Sequence, residues 1–80
     1  MSDTLERVKK VTAEVLKIDE SEVKDDSRFV DDLGAESIQS IELVAAFEEE
    51  FGIEMDEDEA LSVKSVDDAA EFIGNILQKQ

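Results

Sequence analysis

The fold is decided where an acidic loop meets a helix, at the eight residues Asp31-Asp32-Leu33-Gly34-Ala35-Glu36-Ser37-Ile38. From Ser37 onward, apolar residues recur at helical spacing as far as Phe51, and the following Gly52 is a typical helix terminator. Gly34 supplies backbone freedom just before this helix. The sequence therefore predicts a second helix over 37–51, with Ser37 at its start and a loop directly before it.

Helical spacing continues on both sides of this segment. A first helix is predicted from Asp3, which would cap it with Glu6 as the partner of a capping box, to about Lys17. Its expected buried stripe consists of Leu5, Val8, Val11, Val15 and Leu16. A last helix is predicted after Ser65, its cap, with Asp68 at the third helical position. Its expected apolar face consists of Val66, Ala69, Ala70, Phe72, Ile73, Ile76 and Leu77.

Two connections join these helices. Residues 18–36 contain turn-forming Asp and Ser residues, and their apolar residues are expected to anchor them to the core: Val23, Phe29, Val30 and Leu33. In the second connection, Ile53 and Met55 are further anchors, and residues 56–61 are predicted to form one short helical turn. With no Pro in 80 residues, we predict an all-α fold. It is a small bundle of three main helices plus one short helix, in a single domain over 1–80.

The composition excludes several classes of function. The chain has no Cys for a disulfide or thiolate metal site, and no His, the usual general base near neutral pH. An enzyme of this size would depend on carboxylates and lysines, so we expect a non-catalytic protein. The lack of a signal peptide or a membrane-length apolar run favours a cytoplasmic protein. The net charge of −15 argues against nucleic acids and anionic membranes and favours basic protein partners.

The negative charge is concentrated around the second helix. No Lys or Arg occurs over residues 29–63, while the same 35 residues contain 12 Asp or Glu. On a helical wheel, one arc is the expected core face: Leu43, Val44, Phe47 and Phe51. A second arc mixes apolar residues with glutamates: Ile38, Ile41, Glu42, Ala45, Glu48 and Glu49. An apolar centre with an acidic rim is typical of a docking surface, although Ile41 alone would also fit a wide core face.

Ser37 has two compatible interpretations. A serine between a loop and an apolar-periodic run is usually a helix cap. A helix N-terminus also favours an attached phosphate, because its free N–H groups and macrodipole attract anions. The nearest basic residue in the sequence is Arg28, and there is no His, so another enzyme would have to activate the hydroxyl. We therefore predict no catalytic residue. No acidic run fits an EF-hand loop, so we also predict no metal site.

These segments closely resemble the acyl carrier protein family of fatty-acid and polyketide synthesis. The resemblance extends from the first helix to the last and is carried by residues 29–38, Ile41-Glu42-Leu43-Val44 and Phe47-Glu48-Glu49-Glu50-Phe51. It implies a right-handed four-helix bundle with a short third helix. It also implies that a phosphopantetheinyl transferase adds 4′-phosphopantetheine covalently to Ser37. The thiol of that group would hold acyl chains as thioesters.

The resemblance further implies that basic patches of acyl-processing enzymes bind the second helix, through Glu36, Ile38, Ile41, Glu42, Ala45, Glu48 and Glu49. The chain would be a monomeric carrier that delivers acyl intermediates to fatty-acid or related lipid and polyketide biosynthetic enzymes. Residue size alone suggests an interior that could shelter an acyl chain, lined by Leu43, Ala46, Phe47, Ala60, Leu61, Ala69, Ala70 and Ile73.

Three positions depart from the family. Glu36-Ser37-Ile38 stands where Asp-Ser-Leu is usual, Met55-Asp56 where a Pro is frequent, and Ala45 where many members have Met. The first two bear on recognition by the transferase and the third on which synthases dock, and together they favour a specialised carrier. Two alternatives stay open: an unmodified acidic helical adaptor that binds a basic protein, and a carrier of aminoacyl cargo. The sequence does not determine the cargo or its chain length.

Overall fold

Four α-helices and one 3₁₀ turn make up the described part of the protein. The computed structural model describes residues 3–79, excluding the side chain of Glu57. In chain order the elements are α1 (Asp3–Leu16), the 3₁₀ turn (Glu20–Glu22), α2 (Ser37–Phe51), α3 (Glu57–Ala60) and α4 (Val66–Lys79). The predicted all-α fold, with three main helices and one short helix, is confirmed. Within residues 3–79, no helix combines the length and apolarity that a bilayer crossing requires.

The core face of α1 is wider than the predicted stripe. Its buried and half-buried members are Leu5, Val8, Val11, Thr12, Ala13, Val15 and Leu16. The hydroxyl of Thr12 donates to the carbonyl oxygen of Val8 at 2.7 Å, which satisfies the polar group inside the core. The predicted cap is wrong, because Asp3 is itself helical. α1 ends at Leu16, since Lys17 takes a left-handed φ of 59° that stops the helix.

The long connection reaches the core through three of its four predicted anchors. Val23 and Phe29 are buried, and Leu33 is half-buried. The Phe29 ring lies against Phe47 of α2, with ring centroids 6.3 Å apart. Val30 is 58% exposed, so its prediction as an anchor is wrong. Adjacent side chains of a turn project in different directions, and the larger Phe29 occupies the core position.

The three long helices pack mainly through α1, which contacts both α2 and α4. The buried residues of α2 are Leu43, Phe47 and Phe51, with Val44 half-buried, as predicted. The predicted face of α4 is also confirmed, with Val66, Ala69 and Ile73 buried and Ala70, Phe72, Ile76 and Leu77 half-buried. The Ser65 hydroxyl accepts a long hydrogen bond of 3.4 Å from the N–H of Asp68, which supports its predicted role as the cap of α4.

Arg7 joins α1 to the C-terminal end of α2. Its Nε lies 2.9 Å from Glu50 Oε2, and a second guanidinium nitrogen donates to the carbonyl oxygen of Glu50 at 2.8 Å. The guanidinium carbon lies 4.4 Å from the centroid of the Phe51 ring. One side chain therefore combines an ion pair, a bond to a carbonyl in the last turn of a helix and a cation–π contact.

The second connection begins where Gly52 ends α2. Gly52 has a left-handed φ of 64°, and its N–H donates to the carbonyl oxygen of Glu48, as a glycine cap should. Ile53 and Met55 are buried, which confirms both predicted anchors.

The short helix α3 lies within the predicted range 56–61. Asp56 Oδ1 accepts the N–H of Asp58 at 2.9 Å, a side-chain bond at the helix start that a proline could not make. Ala60 is buried, but Leu61 is 71% exposed, so the prediction that Leu61 lines the interior is wrong. Consecutive residues of a helical turn point about 100° apart, and Ala60 already takes the inward position.

Candidate functional site

Ser37 follows a loop that is closed by its own backbone. The carbonyl oxygen of Phe29 accepts the N–H of Ala35 at 2.8 Å, and that of Val30 accepts the N–H of Gly34 at 3.1 Å. Gly34 has a φ of 72°, the left-handed conformation in which glycine is favoured. The side chain of Ala35 is buried. The loop therefore has a defined shape up to the second residue before Ser37.

The same loop is bonded to the segment that starts α4. The N–H of Phe29 donates to the carbonyl oxygen of Lys64 at 3.0 Å, and the N–H of Val66 donates to that of Ser27 at 2.9 Å. Arg28 and Ser65 form an isolated antiparallel bridge between these two bonds. The loop before α2 is thus attached to the segment that leads into α4.

Ser37 is the first residue of α2, and its side chain is exposed. Within the described part of the chain, its hydroxyl forms no hydrogen bond with a protein group. The prediction that Ser37 caps the helix is wrong, because the cap is Glu36, with φ −88° and ψ 168°. Gln39 Oε1 accepts the N–H of Glu36 at 2.9 Å. Since Ser37 is not used as a cap, its oxygen is available to form a new bond.

The electrostatic setting of Ser37 differs from that of the other long helices. The first turns of α1 and α4 each carry two acidic residues, Asp3 and Glu6 in α1 and Asp67 and Asp68 in α4. The first turn of α2 carries none. The positive end of its dipole therefore has no carboxylate within that turn, and the nearest one is that of the cap, Glu36. A phosphate on Ser37 would place a negative charge in the first turn of α2, as acidic side chains do in the first turns of α1 and α4.

The basic group nearest to Ser37 in sequence is already engaged. Arg28 Nη1 lies 3.3 Å from Asp31 Oδ2, and the backbone N–H of Arg28 donates to Asp32 Oδ2 at 2.8 Å. An arginine stays protonated and does not act as a general base. Among residues 3–79, no group of three or more potential metal ligands lies close enough together to hold an ion.

Two groups with shifted pKa values lie in α1 and the long connection. A hydrogen bond and ion pair with Asp25 raises the pKa of Lys9 above its usual 10.5. The backbone N–H of Ser21 donates to Asp19 Oδ1 at 3.1 Å and holds the pKa of that carboxyl below its usual 3.8. Both pairs belong to the packing of the connection against α1, and neither residue is in the Ser37 loop or in α2.

The predicted partner surface on α2, called the docking face below, is mostly open to solvent. It consists of Glu36, Ile38, Ile41, Glu42, Ala45, Glu48 and Glu49. Ile38 is 66% exposed and Ile41 is 69% exposed, so the alternative that Ile41 belongs to the core is wrong. Glu48 differs from its neighbours: it is half-buried, and its Oε2 accepts the N–H of Met55 at 2.8 Å. This glutamate therefore also holds the connection that follows α2.

Sequence reasoning missed the role of Gln39 and the exposure of two apolar residues. Gln39 stands three positions after Glu36, which is the spacing of a capping box and was a usable signal once the cap is placed at Glu36. Val30 and Leu61 gave no such signal. An apolar residue at the right spacing is a candidate for burial, but the pattern does not say which of two neighbours is buried.

A family model described as a phosphopantetheine attachment site matches residues 6–73. The match covers more than half of the chain and includes the Ser37 loop and all of α2. The geometry fits such a group, since an exposed hydroxyl without an internal partner stands at a helix N-terminus free of carboxylates in its first turn. Carrier domains of this family depend on a phosphopantetheinyl transferase and on acyl-processing partners. The chain belongs to the phosphopantetheine attachment family, and its covalent cofactor is 4′-phosphopantetheine.

Proposed function

We propose that Ser37 is the attachment residue for 4′-phosphopantetheine and that the chain is an acyl carrier protein. The observation that carries the proposal is the position of the Ser37 hydroxyl: exposed, free of protein hydrogen bonds among the described residues, and on the first residue of a long helix. A transferase active site can reach such an oxygen without unfolding any element.

The other described serines are less suited to attachment. Ser27 and Ser65 are buried and hydrogen-bonded. The hydroxyl of Ser62 donates to the carbonyl oxygen of Glu59 at 2.7 Å. Ser40, one turn into α2, is half-buried, and Ser21 is exposed in the 3₁₀ turn, away from any long helix. Ser37 alone among them combines exposure with the N-terminus of a long helix.

Attachment forms a phosphodiester on Ser37. The serine oxygen bonds to the phosphorus of a phosphopantetheine-bearing diphosphate donor, the donor's other phosphate departs as the leaving group, and the hydroxyl proton passes to a base of the transferase. The N-terminus of α2, with the positive end of its dipole, favours the resulting phosphate charge. The attached group supplies the thiol that this chain lacks, so that acyl cargo is held as a thioester.

The docking face supports delivery to enzymes with basic surfaces. Its exposed Ile38 and Ile41 are accompanied by Glu36, Glu42 and Glu49, and no Lys or Arg occurs over residues 29–63. Charge attraction of this kind speeds association and weakens with salt, which suits a carrier that must visit and leave several enzymes. Tethering the cargo also replaces free diffusion with a high local concentration.

We further propose that the chain acts as a monomeric, non-catalytic, single domain over 1–80 in the cytoplasm. Fatty-acid or related lipid and polyketide enzymes are the proposed users of its acyl cargo. The acid-rich docking face favours acyl over aminoacyl cargo, and loading the modified chain with activated acyl or aminoacyl groups distinguishes the two.

Co-expression with a phosphopantetheinyl transferase, followed by intact mass measurement, tests the attachment residue. We expect the wild-type chain to gain one phosphopantetheine and the Ser37→Ala variant to gain none. Ser40→Ala is the matched control, since it removes a hydroxyl from the same helix and should be modified like the wild type. A wild-type chain left unmodified by several transferases would favour the unmodified adaptor instead.

A further inference from the structure

We propose that Gln39 is a positioning residue for modification of Ser37, acting through the backbone of Glu36. This inference rests on the proposed attachment at Ser37. Gln39 Oε1 accepts the N–H of Glu36 at 2.9 Å, so the side chain bonds back across Ser37 to the residue before it. The two residues form a capping box, since the Glu36 side chain in turn accepts from the backbone N–H of Gln39.

The backbone is fixed on both sides of Ser37, and the Gln39 side chain supplies one of the bonds that do so. Before the serine, the N–H of Ala35 donates to Phe29 at 2.8 Å. After it, the N–H of Ser40 donates to the carbonyl oxygen of Glu36 at 2.9 Å. The remaining group at this junction is the N–H of Glu36, and without Gln39 only water would satisfy it. Loss of the bond would let the first turn of α2 open and would spread the Ser37 oxygen over several positions.

An amide is suited to this position because it accepts the hydrogen bond without adding charge. A glutamate at residue 39 would make the same bond, since both residue types occur in capping boxes. It would also place a carboxylate in the one first turn among the long helices that has none. Gln39 thus fixes the start of α2 without adding a carboxylate to its first turn.

Steady-state kinetics of the transferase with the full chain as substrate test this role. We expect Gln39→Ala to lower kcat about fivefold with KM unchanged. One capping bond changes the equilibrium between the ordered and the open first turn of α2 by about that factor. Ile41→Ala, on the docking face, should instead raise KM with kcat unchanged. Gln39→Glu should restore kcat to within about twofold of wild type at a salt concentration that screens its added charge.

Two further measurements separate positioning from a general loss of stability. Asp19→Ala removes a similar side-chain-to-backbone bond in the 3₁₀ turn and should leave kcat unchanged. Amide hydrogen exchange at Glu36 should be about fivefold faster in Gln39→Ala and close to wild type in Gln39→Glu.

The role of Gln39 is overturned if the wild type is modified and Gln39→Ala has an unchanged kcat, or shows its loss only in KM. It is equally overturned if Asp19→Ala lowers kcat as much, or if Glu36 exchange does not change. A wild-type chain that no transferase modifies would overturn the proposed attachment itself, and the role with it.

Discussion

The two ends of α2 are held in different ways. At the C-terminal end, residues distant in sequence provide the contacts. Arg7 of α1 bonds to Glu50 and covers the ring of Phe51, and Glu48 accepts the N–H of Met55 in the next connection.

At the N-terminal end, the bonds next to Ser37 are local, and the loop's bonds to the segment before α4 are made further back, at Ser27 and Phe29. Gln39 bonds to Glu36, and the preceding loop closes on itself through Ala35 and Phe29. The side chains of Ser37 and its neighbour Ile38 are left exposed.

The difference separates stability from access along one helix. Tertiary contacts stabilise an end but cover it, whereas local hydrogen bonds fix the backbone and leave the side chains open to a large partner. We therefore expect substitutions at the C-terminal end to change the free energy of unfolding. Substitutions at the N-terminal end should mainly change modification and docking.

The largest expected effect at the C-terminal end comes from Arg7→Ala. It removes an ion pair, a hydrogen bond to a helix carbonyl and a cation–π contact, and the guanidinium is half exposed. After allowing for solvent screening, we expect a loss of about 1–2 kcal/mol in the free energy of unfolding. Urea denaturation measures it. The rate of Ser37 modification, measured well below the melting temperature, should stay at the wild-type value.

Lys10→Ala is the control for Arg7→Ala. Lys10 lies on the same helix and is exposed, so its loss should change stability by less than about 0.5 kcal/mol. Equal denaturation midpoints for the two variants would show that the Arg7 contacts contribute nothing beyond a surface charge. A slower modification of Ser37 in Arg7→Ala would show that the two ends of α2 are coupled after all.

A smaller effect is expected where the docking face itself contains a tertiary bond. Glu48→Ala leaves the part-buried N–H of Met55 without its acceptor, which should cost about 1 kcal/mol. Glu49→Ala removes an exposed carboxylate from the same face and should be near neutral for folding. Glu48→Gln keeps an acceptor oxygen and should recover most of the loss. Urea denaturation of the three variants would contradict this account if Glu48→Ala and Glu49→Ala had the same midpoint.

Most of the fold could be predicted from the sequence because apolar spacing reports burial directly. The bounds of α2, the core faces of α2 and α4 and the helix stop at Gly52 follow from period and residue type alone, whereas the buried Thr12 and Ala13 of α1 do not. The exposure of Ile38 and Ala45 was also predictable, since the core arc of α2 is already filled by other residues, whereas helical spacing left Ile41 open.

The sequence could not predict which of two adjacent residues takes a given position in the core or at a helix end. Phe29 and Val30 are both plausible anchors, and Phe29 is the one whose backbone is bonded to Lys64 and whose ring packs against Phe47. Ser37 was a reasonable cap by residue type, yet the helix begins one residue earlier than a Ser37 cap would allow, because Glu36 takes that place. The tertiary role of Glu48 depends on where a separate connection folds back, which helical spacing does not encode.

The smallest expected effect on stability concerns the hydrogen bond that Asp19 accepts at the start of the 3₁₀ turn, because the pKa of Asp19 is shifted. In the 3₁₀ turn Asp19 accepts the N–H of Ser21, whereas at α2 the acceptor is the neutral amide of Gln39. The Ser21 bond lowers the pKa of Asp19 in the folded state below 3.8. A depressed folded pKa gives stability that is present above the unfolded value and is lost as pH falls through the folded one.

We therefore expect Asp19→Asn, which keeps an acceptor oxygen but does not titrate, to reduce the loss of stability on acidification slightly. The difference from wild type should appear only below about pH 4, where the unfolded Asp begins to bind a proton. Urea denaturation at a series of acidic pH values measures it. Parallel curves for the two proteins would mean that the bond to Ser21 persists when Asp19 is protonated. The two kinds of local cap would then respond alike to acid, and the choice of an amide at residue 39 would reflect charge at the helix start alone.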